Sequence, residues 1–219
     1  MPKHFQREIE RLKKKMLFLS AVVEESVHQA VTALIERNAE KAVQVIKKDE
    51  EIDNMEVEVE EEGLKILALY QPVAIDLRFI VAVLKINNDL ERIGDLSVNI
   101  AERAVDLASV PPVKIFFDIE EMSSIAKKML KKSLDALVNL DVQLASEIES
   151  FDDDIDRLHR GNYAKFKDAI NANPNQVDEL LQLLGVSRYL ERIADHATNI
   201  AEDVIYMVEG DIVRHKSGI

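Results

Sequence analysis

The sequence predicts an all-α protein of six helices, arranged as two tandem antiparallel three-helix bundles. Three observations carry this. Only six Gly and five Pro occur in 219 residues, too few for the turns of a strand-rich fold. Long stretches repeat apolar residues every three or four positions, the period of an amphipathic helix. The chain also contains an internal duplication. Residues 91–102 read ERIGDLSVNIAE and residues 191–202 read ERIADHATNIAE, with eight of twelve positions identical at an offset of 100. Upstream, ALIERNAEKAVQVIKKDEEID at 33–53 parallels ALVNLDVQLASEIESFDDDID at 136–156 at an offset of 103. Two collinear matches in one order mark a true repeat.

Each half holds three helices. The first spans about 4–37 and is interrupted by Asn38, whose repeat mate is Asp141; both residue types cap helix N-termini well. The second spans about 39–70 and stops before Pro72, because the residue before proline is pushed out of the helical region. The third runs over about 74–109. Ile86, Leu90, Ile93, Ile100 and Ala104 form one stripe on it, at ~100° per residue. Pro111 and Pro112 then form a linker, which divides the chain into repeats over 1–110 and 111–219. The second half follows the same plan at about 118–139, 142–171 and 174–209. Asn173 and Pro174 serve as cap and first-turn residue, and Val186, Leu190, Ile193, Ala197, Ile200 and Val204 form the stripe. Long helices with short connections favour bundles.

An apolar fraction of 47% supports a core, and with aromatics at 5% and no Trp that core must be mainly aliphatic. The net charge of −13 disfavours nucleic-acid backbones and anionic lipid surfaces, while a surplus of acid suits cations. Without cysteine there is no disulfide, thiolate metal site or thiol nucleophile. The N-terminal MPKHFQREIERLKKKMLFLS interleaves charge with apolar residues instead of building a signal segment, and no stretch reaches the ~18 uninterrupted apolar residues of a membrane span. A cytoplasmic location is expected.

The chemistry lies in acidic pairs. Glu91, Asp95, Asn99 and Glu102 are spaced four, four and three apart and fall within an arc of roughly 80°, on the face opposite the apolar stripe. Glu191, Asp195, Asn199 and Glu202 repeat this. The second helices carry Asp49 and Asp53, followed by Glu56, and Asp152 and Asp156, followed by His159. Like charges four apart destabilise a helix by ~0.2–0.5 kcal/mol per pair, and a cation between them reverses that sign. Hard and borderline metals accept these oxygens and imidazole nitrogen. A solvated acidic face is the plainer reading of any single pair, but four pairs at equivalent repeat positions favour metal.

Other candidates are weaker. Arg92 and Arg192 reach Asp95 and Asp195 at i+3. His159 follows Asp156 at ligand spacing without a repeat mate. His196 points away from the acidic face and reads as a surface residue. Arg78 and Arg188 read as bundle salt bridges, and Gly94 and Ala194 as points of close helix approach. No phosphate-binding loop, dinucleotide glycine fingerprint, nucleophile elbow or zincin motif occurs, so no enzyme is expected.

The segments PVAIDLRFIVAVLKINNDLERIGDLSVNIAE at 72–102 and RYLERIADHATNIAE at 188–202 resemble the PhoU family, accessory regulators of bacterial phosphate transport. The second half departs where VDELLQLLGVSRYLER replaces AIDLRFIVAVLKINNDLER. The resemblance implies two three-helix bundles and multinuclear metal clusters, iron first with zinc or manganese as alternatives. Their ligands would be Asp49, Asp53, Glu91, Asp95, Asp152, Asp156, Glu191 and Asp195, with Asn99 and Asn199 alongside. It further implies a homodimeric adaptor that contacts the ATPase of the phosphate transporter and the phosphate-sensing histidine kinase. Such an adaptor restrains uptake and the phosphate regulon when phosphate is plentiful. Two alternatives stay open: a ferritin-like di-metal oxidase and a purely structural scaffold.

Overall fold

The computed structural model describes residues 3–113 and 118–210; the remainders of the two expected repeats, at 1–2, 114–117 and 211–219, lie outside the described residues. Helix α1 (Lys3–Glu36) buries Leu12, Met16, Leu19, Val23, Val27, Ala30 and Leu34, the spacing of one helical face. It ends where Arg37 takes a left-handed φ of 54°. Asn38 then starts α2 (Ala39–Tyr70) by accepting a hydrogen bond from Lys41 N at 3.0 Å, as its residue type predicts. Gln71 closes α2 in the left-handed region ahead of Pro72. Helix α3 (Ala74–Ala108) returns along both. Its exposed end is satisfied from a distance: the Arg37 guanidinium donates to the carbonyls of Leu107 and Val110. A cation there suits the negative end of the helix dipole.

The second half begins with α4 (Ile119–Asn139), and Asp141 caps the next helix by accepting from Leu144 N at 3.0 Å. The helix expected over 142–171 is broken into α5 (Val142–Ser146) and α6 (Glu149–Ala172). Ile148 stays fully buried, and the chain tightens around it through Ile148 N→Ala145 O and Phe151 N→Ile148 O, both i→i−3 bonds. Ser146 and Ser150 hydrogen bond to backbone carbonyls on either side, which favours such a bend. Asn173 departs from its expected role: it makes no side-chain cap and returns its amide to Ala169 O at 3.3 Å. Pro174–Gln176 form a single 3-10 turn before α7 (Val177–Glu209). The six-helix plan therefore holds, with its fifth helix in two pieces.

Helix α3 packs against α1 and α2, and α7 packs against α4, α5 and α6. The two central helices α3 and α7 also pack against each other, so one continuous apolar core runs through both repeats. Among the described residues no helix is long and apolar enough to cross a membrane.

The two caps provide a test of this plan. Asn38→Ala and Asp141→Ala should each lower stability by ~1 kcal/mol in urea unfolding. No loss at either position would show that the helix starts are fixed by packing alone.

Candidate metal centre

Helices α2 and α3 approach closely where Ile52 meets Gly94. A Cβ at Gly94 would lie 3.1 Å from Ile52 Cγ2 and 3.9 Å from Asp49 Oδ1, so only a very small residue fits. Ala194, the repeat mate of Gly94, is fully buried. This contact draws Asp49, Asp53 and Glu56 of α2 alongside Glu91 and Asp95 of α3. The acids are not turned directly away from the apolar stripe, as helical phase alone suggested. They flank the seam between helices, where Asp49 and Glu91 are half-buried.

Electrostatics confirms that the two helices share one field. The Asp49 carboxyl is held above its ordinary range by burial first, then by Asp53 and by Asp95 across the seam. Glu91 is raised by burial and then by Asp95, with smaller contributions from Glu56 and Asp53 and opposition from Arg92. Glu56 is raised by burial, Glu60 and Asp53. Arg92 donates to Asp95 Oδ2 at 3.1 Å, the i+3 pair expected from sequence, and its Nε lies 3.3 Å from Glu91 Oε2 without hydrogen-bond geometry.

The second repeat builds the same arrangement from α6 and α7. Asp152 is raised by burial, by Asp195 and by Asp156, and a 3.4 Å hydrogen bond from Thr198 Oγ1 opposes this. Glu191 is raised by burial and by Asp156. Asp195 is pushed up to about 6, by burial first, then by Glu191 and Asp156. Arg160 pairs with Asp156 at 3.1 Å, a contact within α6 that the sequence reading did not single out.

All eight expected carboxylates thus fall into two groups of four, one per repeat. Two oxygens of the first group, Asp49 Oδ1 and Glu91 Oε2, are buried without a hydrogen-bond partner among the described residues. Glu91 Oε2 has the Arg92 guanidinium 3.3 Å away, whereas Asp49 Oδ1 has no partner among the described residues; a buried carboxylate oxygen left alone is costly, so Asp49 Oδ1 fits a cation. Among the described residues no three acids or histidines converge as a finished metal site. Arg92 pairs with Asp95 and Arg160 with Asp156 instead.

Other expected residues lie elsewhere. Asn99 is half-buried on the same stretch of α3 as Asp95, but Asn199 donates its amide to Asp89 Oδ1 at 3.3 Å across the α3–α7 contact. His196 is not a surface residue: its Nδ1 lies 2.8 Å from Asp89 Oδ1 and its side chain is only 17% exposed. His159 turns into the core, where Nδ1 meets Ser187 Oγ at 2.9 Å beside buried Asn162. That orientation gives no Glu-x-x-His site of the ferritin-like kind. Among the described residues neither Arg78 nor Arg188 makes the expected salt bridge; the Arg78 guanidinium instead lies against Gly210 at the end of α7. Asp89 escaped the sequence reading because its partners are more than 100 positions away and its repeat mate is Tyr189.

Tandem three-helix repeats, fused through their third helices and carrying a four-carboxylate seam in each half, define a duplicated helical-bundle protein. A family model described as the PhoU domain matches residues 17–104 and again 119–204. The chain belongs to the PhoU family. It is 40% identical over 210 residues to the phosphate-specific transport system accessory protein PhoU homolog of Aquifex aeolicus, covering 96% of this chain and 95% of that protein. Identity to PhoU homolog 1 of Thermotoga maritima is 36%, over 94% of this chain and 90% of that one. The crystal structure of PhoU from Pseudomonas aeruginosa superposes with a TM-score of 0.91 at 36% identity, covering 94% of this chain and all (100%) of that chain. The phosphate transport system regulatory protein PhoU from Streptococcus pneumoniae gives a TM-score of 0.84 at 29% identity, over 95% of this chain and 99% of that one.

The raised carboxyl of Asp195 makes stability pH-dependent. Its folded value of about 6 exceeds the ~3.9 of an unfolded aspartate, so between these values the native state binds more protons. Its contribution is fully favourable below pH ~4 and is lost as pH rises through about 6. Asp195→Asn should therefore stabilise metal-free protein above pH 7 by about 1 kcal/mol, a figure reduced for solvent screening because the side chain, though crowded by its neighbours, remains open to solvent on one side, and should do little at pH 4. A denaturation series showing the same effect at both pH values would refute this origin.

Proposed function

We propose that this protein is a metal-binding adaptor that restrains high-affinity phosphate uptake and the phosphate regulon. The observation that carries the metal part is the pair of four-carboxylate seams, with Asp49 Oδ1 buried and without a partner among the described residues. In the first seam, Asp49, Asp53, Glu91 and Asp95 would hold the cation; in the second, Asp152, Asp156, Glu191 and Asp195. Oxygen-rich sites of this kind suit multinuclear iron, with zinc or manganese as alternatives. Bound metal would neutralise the like charge that packing gathers at each seam, so its role here is to lock each repeat.

The names of the relatives, accessory and regulatory proteins of phosphate transport, support the adaptor part. On this reading the partners are the transporter ATPase and the phosphate-sensing histidine kinase, reached in the cytoplasm by a homodimer. An adaptor also needs a surface to offer. Around the α2–α3 turn Leu69, Val73 and Ile75 are 65%, 74% and 67% exposed, which offers apolar surface there.

Metal analysis of the protein purified without chelator tests the metal part. Wild type should carry metal and gain several degrees in melting temperature over the chelated form, since a ligand of the native state stabilises it. Asp95→Ala combined with Asp195→Ala should lose most of both. Unchanged metal content in the double variant would remove the ligand assignment. Co-purification with transporter ATPase and sensor kinase tests the adaptor part separately, and capture of neither would remove it.

A further inference from the structure

Charge is unevenly spread along α1. Residues 3–15 carry six Lys and Arg against two Glu, in a chain whose net charge is −13. At ~100° per residue Lys3, Arg7, Lys14 and Phe18 fall within an arc of roughly 60°, so one stripe of the helix is basic over its first turns and apolar after them. All four residues are exposed, Phe18 at 59%. Among the described residues Lys3, Arg7 and Lys14 make no ion pair, although acids outnumber bases in this molecule. Glu10, an acid on the same stripe, is held by Lys13 at 3.2 Å.

The apolar end of the stripe opens into a groove. Leu17, beside Phe18, lines a cavity of about 90 Å³ together with Met16, with Phe79 of α3 and with Leu137, Val138 and Leu140 of α4. Val138 is 53% exposed, and Leu140 is exposed at the left-handed residue that closes α4. Lys13 stands on the same groove, its Nζ 5.5 Å from the centre of the Phe79 ring. The walls come from both repeats, so the groove is formed only when α4 packs on α1. Large apolar side chains left in water at a concave site gain from being covered, by roughly 25 cal/mol per Å².

Shape and charge together select the occupant. A slot the size of one side chain suits an apolar anchor on a helix. The unpaired cations run for about 16 Å along α1 toward it, which suits carboxylates on the neighbouring turns of that same helix. A bilayer fits less well: a plane of anionic headgroups would meet the acidic remainder of the surface and leave the slot unfilled. We infer that the Lys3–Phe18 stripe of α1 and the adjoining groove under Leu17 and Val138 form a docking site for an acidic amphipathic helix of a partner protein. This names the surface through which the adaptor proposed above engages a partner, and it rests on that reading; it is independent of metal.

Fluorescence anisotropy of the full chain with a labelled peptide of about 20 residues tests it, the peptide carrying Glu over its first half and Leu at helical spacing in its second. Wild type should bind this peptide saturably. Phe18→Glu and Val138→Glu should each weaken binding by about tenfold or more. Lys14→Glu should weaken it by about threefold or more and flatten its salt dependence. Leu181→Glu, at an exposed apolar position of α7, should stay within about twofold, and all four variants should keep the wild-type melting temperature because the positions are exposed. A peptide with Lys in place of Glu should not bind. Absent binding, equal binding of the Lys peptide, or binding indifferent to Phe18→Glu overturns the inference. Capture of the chain by phosphatidylglycerol vesicles without peptide binding, or self-association that Phe18→Glu abolishes, gives the surface to lipid or to a second copy and overturns it too. Peptide failure while the transporter ATPase or sensor kinase still co-purifies removes this inference alone; capture of neither protein removes the adaptor reading, and this inference with it.

Discussion

Apolar packing forces like charges together in this molecule. Ile52 locks against Gly94 because no larger residue fits there without displacement, and the aliphatic stripes of α2 and α3 share one core. The acids on either side of that seam are carried into proximity by a burial term far larger than their mutual repulsion. A fully buried Ile side chain contributes roughly 1.5–3 kcal/mol, against a few tenths for a like-charged i,i+4 pair. The acids answer by holding protons more tightly and by pairing with Arg92 and Arg160. The raised carboxyls of Asp49, Glu91, Asp152, Glu191 and Asp195 all express this one constraint.

Duplication supplies two copies of the seam but not two identical environments. The first uses a glycine at its point of closest approach and leaves Asp49 Oδ1 buried without a partner among the described residues. The second has Ala194 there, carries a hydrogen bond from Thr198 to Asp152, and lies behind a helix interrupted at residues 147–148. Asp156 also has His159 one turn away, yet that imidazole is drawn into the core by Ser187. Two sites of common origin have thus acquired different surroundings, one closed within its own repeat and one tied to its neighbour.

Fusion of the repeats follows from the same packing. Helices α3 and α7 are apolar on more than one face, because each must cover its own bundle and also the other. Polar groups buried in that contact are therefore partnered: Asp89 with His196 and Asn199, and Asp203 with Lys85 at 3.3 Å. Such pairs contribute less to stability than to register, since an apolar seam alone could slide by a turn and leave these groups unsatisfied.

By itself the sequence determined the helical class, the duplication, both side-chain caps and the membership of each carboxylate group. All of these depend on local periodicity, cap chemistry or repeat offset, which are properties of neighbouring residues. It also placed Arg92 on Asp95 and small residues at 94 and 194. Tertiary structure alone decided the rest. The break at Ile148 comes from keeping that side chain in the core, the half-burial of Asp49 and Glu91 from the distance between helix axes, and the roles of His196, Asn199 and Asp89 from contacts more than 100 positions apart. Helical phase fixes the direction in which a side chain leaves its own helix; only the packing of a second helix decides whether that direction meets water, a core or another charge.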